Sequence, residues 1–163
     1  GFDMNAGYYK PITVETLEVA GLPWAFEAMR LPIEGKSSRT DDQLARLLLN
    51  RGEEHAKFSR GIMVWFKITM QIGFMVEFDT YRIGIDCLSS SSTMHNELKG
   101  LSGKTLAEQK QQLANRKVYT RIFVANYQTL RRIYKQRHGH RHPDWGIFCD
   151  WLTTLPNSHY ITQ

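Results

Sequence analysis

Residues 62–82 read Ile62-Met63-Val64-Trp65-Phe66-Lys67-Ile68-Thr69-Met70 and then Gln71-Ile72-Gly73-Phe74-Met75-Val76-Glu77-Phe78-Asp79-Thr80-Tyr81-Arg82. In the first run Ile62, Val64, Phe66, Ile68 and Met70 alternate with Met63, Trp65, Lys67 and Thr69, the two-residue repeat of a strand. Apolar residues on both faces predict that this strand lies inside a sheet. Beyond Met70 the period changes. Ile72, Met75, Val76, Asp79 and Ile83 fall at i, i+3, i+4, i+7 and i+11, which predicts a helix from Gln71 to about Arg82. An internal strand feeding a helix points to a mixed fold, and the flanking sequence extends that reading in both directions.

Upstream, Ile12–Val19 is rich in β-branched residues and partly alternates, so it reads as a strand. Trp24–Met29 reads as a short helix limited by Pro23 and Pro32. Gly35–Arg39 reads as a loop. Thr40-Asp41-Asp42-Gln43 has the capping-box pattern, Leu44, Leu47 and Leu48 continue at helical spacing, and Gly52 supplies a stop. Downstream, Gly84–Ser92 reads as a loop containing four consecutive serines, Ser89–Ser92. A helix is expected from about Ser102 or Lys104 to Asn115. A second is expected over about Val118–Arg137, burying Ile122, Ala125, Leu130 and Ile133. His138–His142 forms a turn, Pro143 suits a first helical position, and Trp145, Phe148, Cys149 and Leu152 make an apolar stripe. The whole is one α+β (mixed α/β) domain over residues 1–163, a central sheet with long helices in the C-terminal half.

Composition agrees with a packed domain: 163 residues, 42% hydrophobic and 23% charged, apolar enough to offset ordering entropy by burial. No apolar run approaches the roughly 18 residues of a membrane span, since Lys67 and Glu77 interrupt the longest ones. Gly1–Lys10 is polar before any apolar run, so no signal peptide is expected. Cys87 and Cys149 are too few for a disulfide framework; free thiols, a reducing compartment and a cytoplasmic location are the expectation.

Charge is uneven along the chain. Lys and Arg number 21 against 16 Asp and Glu, and eight of the 21 lie within residues 116–142, which contain no acid. The remainder therefore carries 13 positives against 16 acids. A segment of this kind attracts phosphates of a nucleotide, a flavin cofactor or a nucleic acid, or else forms a solvated helix face.

From about Leu44 to Leu152 the order of elements and motifs resembles the flavin-dependent thymidylate synthases, the ThyX-like proteins, and most of all a phage-borne branch with a degenerate signature. The family carries Arg-His-Arg on a helix, then Ser, Asn-Glu, Ser and Arg-Tyr. Here Thr80-Tyr81-Arg82 stands at Arg-His-Arg, and Ser91-Ser92-Thr93-Met94-His95 resembles the end of the signature, with Met94 for the arginine and His95 for the tyrosine. Asn126 and Arg137 match a nucleotide-facing Asn and a substrate-activating Arg, Trp145 falls near the aromatic that follows, and His55-Ala56-Lys57-Phe58 matches a His-x-Lys-Phe stretch. The resemblance implies a homotetramer with FAD and dUMP at subunit interfaces. It also implies NADPH as reductant and methylenetetrahydrofolate as carbon donor, and the cytoplasm, of a host bacterium for a phage-borne gene.

The resemblance thus gives Arg137 and Ser92 catalytic roles. It gives Arg82, Tyr81, His55 and Asn126 to the cofactor, and Ser91, Ser92, His95 and Arg137 to the substrate. Each has a plainer rival. Arg82 can pair with Asp79 or Glu77 on its own helix, and the serines can form a surface loop in place of a phosphate nest. Asn126 and Arg137, eleven residues apart on the expected helix, would share a face. Arg137 can be a helix-end cation, with no acid in residues 116–142 to neutralise it. His138, His140 and His142, even with Cys149 or Asp144, make an adventitious cluster, so no metal is expected. Trp65, Phe66, Phe74 and Phe78 read as core. Two functions follow: a flavin- and nucleotide-binding enzyme acting at C5 of dUMP or a related pyrimidine nucleotide, or a catalytically degenerate relative that binds nucleic acid or a host protein through its basic helix.

Overall fold

A computed structural model describes residues 9–33, 36–94 and 105–163. Four antiparallel strands form one sheet in the order β1-β2-β4-β3. They are β1 (Thr13–Ala20), β2 (Met63–Gln71), β3 (Ile85–Met94) and β4 (Lys117–Asn126). Met63 lies opposite Asn126 and Gln71 opposite Val118, while Ile85 lies opposite Ala125 and Met94 opposite Lys117. The strand read first is indeed internal. Its Val64, Phe66, Ile68 and Met70 are buried, and Met63, Trp65, Lys67 and Thr69 on the other face are half-buried. Trp65 is therefore not core, whereas Phe66, Phe74 and Phe78 are.

The core sits on the Phe66 face. Phe66 stacks on Phe123 with centroids 5.6 Å apart, and Phe78 meets Phe123 edge-on at 4.9 Å. Helices α3 (Ile72–Phe78) and α6 (Pro143–Leu152) close over these rings, with Trp145, Phe148 and Leu152 fully buried. Each such side chain contributes about 1.5–3 kcal/mol on burial. The α6 stripe and its first-turn proline match the sequence expectation.

Helices α1 (Leu22–Arg30) and α2 (Asp41–Asn50), with 3-10 turns at Glu53–His55 and Lys57–Gly61, add Ala25, Met29, Leu44, Leu49 and Phe58 to the same core. The capping box forms: Thr40 Oγ1 accepts from Gln43 N–H and Gln43 Oε1 from Thr40 N–H. Gly21 opens α1 at φ 102°, and a Cβ there would lie 2.0 Å from the carbonyl oxygen of Gly61. Only glycine lets α1 approach that turn.

Several expectations are corrected. The serine-rich segment is strand β3, not a loop: serine has no strong local preference, and β4 supplies the hydrogen-bonding partner. Residues 118–126 are strand, not helix. Val118, Thr120, Ile122 and Val124 alternate with Tyr119, Arg121, Phe123 and Ala125, and helix α5 (Tyr127–Arg137) begins only after Asn126. The helix expected over Gln71–Arg82 stops at Phe78 and tightens into a 3-10 turn at Asp79–Tyr81. Helix α4 spans Leu106–Arg116 with Thr105 as its cap; the starts considered at Ser102 and Lys104 lie outside the described residues. The C-terminal helices are thus short, none exceeding 11 residues among those described, and α7 (His159–Thr162) is a single turn.

Candidate functional site

The tight turn after α3 positions the signature region. It ends at Gly84, where φ is 109° and a Cβ would meet Thr129 Oγ1 at 2.9 Å. This close approach to α5 holds Tyr81 against the last turn of that helix. Arg137 Nε donates to the Tyr81 hydroxyl at 2.8 Å, and that hydroxyl donates to Gln136 Oε1 at 2.7 Å. The Arg137 guanidinium lies 4.3 Å from the centre of the buried Trp145 ring and 5.5 Å from that of Tyr81. Such cation–π contacts contribute about 0.5–2 kcal/mol as the cation is desolvated.

Arg137 is not uncompensated. Its Nη1 is 3.7 Å from Glu77 Oε1 on α3 and 3.3 Å from His140 Nε2. The acid-free local sequence gives no sign of this, because the partner arrives from sixty residues upstream. Glu77 also faces His142 Nε2 at 3.8 Å. Nη2 of Arg137 has no partner among the described residues, and the side chain is 18% exposed. The result is a guanidinium fixed in orientation with one edge left over.

A second cluster adjoins the first. Arg121 on β4 reaches Asp79 Oδ1 at 3.1 Å and Ser90 Oγ at 3.3 Å. Asp79 and Tyr81 share one turn, so the Arg121 and Arg137 clusters are neighbours. Sequence reading missed Arg121 because it was placed on a helix; a strand there puts it opposite Ser90. Ser92 lies two residues further on the same face and Ser91 on the opposite face, both exposed and neither in contact with Arg137. Arg82 is exposed and unpaired among the described residues, since Asp79 and Glu77 are taken by Arg121 and Arg137. The ion pair weighed for it within its own helix does not form.

The remaining candidates are scattered. Asn126 is the cap of α5, its Oδ1 accepting from Thr129 N–H at 2.9 Å, so it does not share a helix face with Arg137. His55 sits on the 3-10 turn after α2, beside Glu54 at 3.5 Å, and makes no contact with Arg137 or Tyr81 among the described residues. His95 lies outside the described residues. His138 packs on Tyr134, and His142 caps α6 through Asp144 N–H at 3.1 Å. Cys149 is buried and Cys87 exposed, both free; burial pushes the Cys149 thiol up to about 11. The eight cations of residues 116–142 do not form a basic helix. Arg116 ends α4, Lys117 and Arg121 are on β4, four are on α5, and Arg141 lies in the turn. Arg131 is largely spent inside the protein, donating through Nη2 to the carbonyls of Leu49 and Gln163, while burial lowers its pKa.

No protein-family model matches the chain, and no curated protein matches its sequence. The fold, in contrast, resembles solved structures of flavin-dependent thymidylate synthase. One, ThyX from Helicobacter pylori with FAD and dUMP, is 11% identical at a TM-score of 0.66, covering 93% of this chain and 96% of that one. Another, of the same enzyme from the same organism complexed with FAD and dUMP, is 13% identical at a TM-score of 0.64, covering 91% and 96%. At such identity the likeness establishes the mixed α/β fold with its four-stranded sheet.

Proposed function

We propose that this chain is a flavin- and nucleotide-binding protein that acts at C5 of dUMP or a related pyrimidine nucleotide. The observation that carries the reading is Arg137: a cation clamped by Tyr81, Trp145 and Glu77, with Nη2 unclaimed. Preorganising one guanidinium removes most of the rotamer entropy that a ligand contact would otherwise cost. Arg82 lies one residue beyond Tyr81 as a second uncommitted cation. A donor set of this kind fits FAD and dUMP, both rich in phosphate and carbonyl acceptors.

In this reading Arg137 orients the pyrimidine nucleotide, with Ser92 beside it in the reaction. Arg82, Tyr81, His55 and the amide nitrogen of Asn126 serve the cofactor, and Ser91, Ser92 and His95 serve the substrate. Bound flavin would supply the redox chemistry, with NADPH as reductant and methylenetetrahydrofolate as carbon source. The assembly is a homotetramer working in the cytoplasm, in a host bacterium if the gene is phage-borne. Among the described residues no helix is long and apolar enough to cross a membrane.

The absorbance spectrum of the purified protein tests the cofactor: a bound or readily added flavin is expected, and a colourless protein that ignores FAD defeats the reading. Calorimetric titration of Arg82→Ala and Arg137→Ala with FAD and dUMP tests the residues. A loss of about 1.5–3 kcal/mol in affinity is expected for a charge-assisted contact. Unchanged affinity in both variants removes them from the site.

A further inference from the structure

Glu77 stands between two partners and is locked to neither. Its Oε1 is 3.7 Å from Arg137 Nη1 at the end of α5, and its Oε2 is 3.8 Å from Nε2 of His142, the cap of α6. Both separations exceed the roughly 2.7–3.2 Å of a hydrogen bond, so a small movement of this one side chain on α3 commits the carboxylate to either side. Its side chain is 32% exposed and can make that movement, whereas that of His142 is only 8% exposed.

His142 is the ring placed to take a proton. Its Nδ1 accepts from Asp144 N–H at 3.1 Å, which leaves the proton of the neutral ring on Nε2, towards Glu77. Oδ2 of the buried Asp144 stands 3.9 Å from the same Nδ1, while Asp144 Oδ1 accepts from Ile12 N–H and the Tyr9 hydroxyl. A protonated His142 therefore has a carboxylate at each nitrogen, exchanging one capping bond for two ion pairs. His140 has the opposite surroundings. Its Nδ1 accepts from His142 N–H at 3.0 Å and its Nε2 lies 3.3 Å from Arg137 Nη1, so a charged His140 would lose that bond and face a cation.

We propose that Glu77 is a proton-linked latch on Arg137, released to His142 when an anionic group of the nucleotide takes the guanidinium. The inference rests on the reading of Arg137 as a ligand-holding cation. On release, His142 takes up a proton from solvent at Nδ1 and turns from acceptor of Asp144 N–H to donor towards Asp144 Oδ2. The sign of the pH effect follows. A charged His142 draws Glu77 away from Arg137, so anion affinity is highest at low pH and falls as pH rises through the imidazole range.

The phosphate of dUMP itself titrates near about pH 6, so the test compares proteins, between which the ligand's own proton cancels. His142→Asn keeps a capping side chain on α6 without a titrating one. In calorimetric titrations with dUMP from pH 6 to pH 8, the affinity of the wild type relative to His142→Asn should fall about threefold, and so should its affinity relative to Glu77→Gln. Buffers of different ionisation enthalpy should show the wild type taking up more protons than either variant. Ratios that do not change with pH overturn the latch. So does a pH dependence that survives in Glu77→Gln, which would assign it to direct attraction by His142. A second measurement needs no ligand. The pH midpoint of the His142 ring signal in nuclear magnetic resonance should rise by about half a unit on Arg137→Ala, because Glu77 is then undivided, and by clearly less in the Glu77→Gln background. An equal rise in both backgrounds overturns the latch. If dUMP does not bind while this cycle holds, the functional reading fails and the latch stands.

Discussion

Glu77 shows what one residue far away in sequence does to a site. By facing Arg137 at 3.7 Å it holds part of the positive charge that a nucleotide phosphate would otherwise meet. Glu77→Gln removes that competition, and an exposed or half-exposed pair of this kind is worth about 0–1 kcal/mol. The expected outcome is dUMP affinity raised by up to that amount, read by calorimetry; weaker binding would mean that Glu77 serves the ligand through Arg137. Asp42 offers a residue-scale test of stability. The His159 imidazole 2.6 Å away, then the Tyr160 hydroxyl and Arg46, hold its carboxyl down to about 2. Its folded pKa lies below the unfolded value near 3.9, so the contribution is complete above about pH 4 and is lost as pH falls towards 2. The gap in melting temperature between wild type and Asp42→Asn should narrow between pH 5 and pH 2. A constant gap would assign the effect to shape and not to charge.

Among elements, the boundary between β4 and α5 is where sequence and structure part. Ile122 and Ala125 sit three residues apart, which mimics a helix, and they join smoothly to Leu130 and Ile133. The β-branched and aromatic run from Val118 to Val124 is the stronger signal, and Asn126 is its punctuation. Asn126→Ala should cost about 0.5–2 kcal/mol of stability by denaturant unfolding, whereas Asn126→Asp keeps the cap. If the amide nitrogen also serves the cofactor, Asn126→Asp alone separates the roles: stability stays and FAD affinity falls. Strand β3 was beyond local reading, because Ser89–Ser92 encode neither period nor preference and become a strand only through β4. What was legible were self-contained signals: the alternation of β2, the Thr40–Gln43 box, and the Pro143 start of α6. Arg137, Tyr81 and Arg82 were legible as site candidates by resemblance. Their geometry was not, since Glu77, Trp145 and Arg121 join them only through folding.

For the molecule as a whole, four Trp, eight Phe and six Met are a high density of large apolar side chains for 163 residues. Much of that density turns inward, as Phe66, Phe74, Phe78, Phe123, Phe148 and Trp145 fill the core of one chain. The surface makes a narrower case. Val76 on α3, Ile83 in the turn before β3 and Leu88 on β3 are 60%, 87% and 56% exposed. Trp65, Ile122 and Val124 remain half-buried on the sheet face away from the core. β3 is an edge strand whose described side chains include one charge, Asp86, so little on it opposes pairing with another copy. The proposed tetramer would cover these residues, and the signature serines lie on that same strand. Sedimentation at micromolar concentration should therefore show a tetramer, and Leu88→Lys with Ile83→Lys should shift it towards smaller species while the far-ultraviolet spectrum is kept. A shared site carries a further consequence. If Arg137 of one copy works with Ser92 of another, each single variant weakens every site. Random mixing of Arg137→Ala and Ser92→Ala chains should then restore about a quarter of the dUMP sites to wild-type affinity. Mixing that restores none, in a protein shown to be tetrameric, would place both residues in a site built by a single chain.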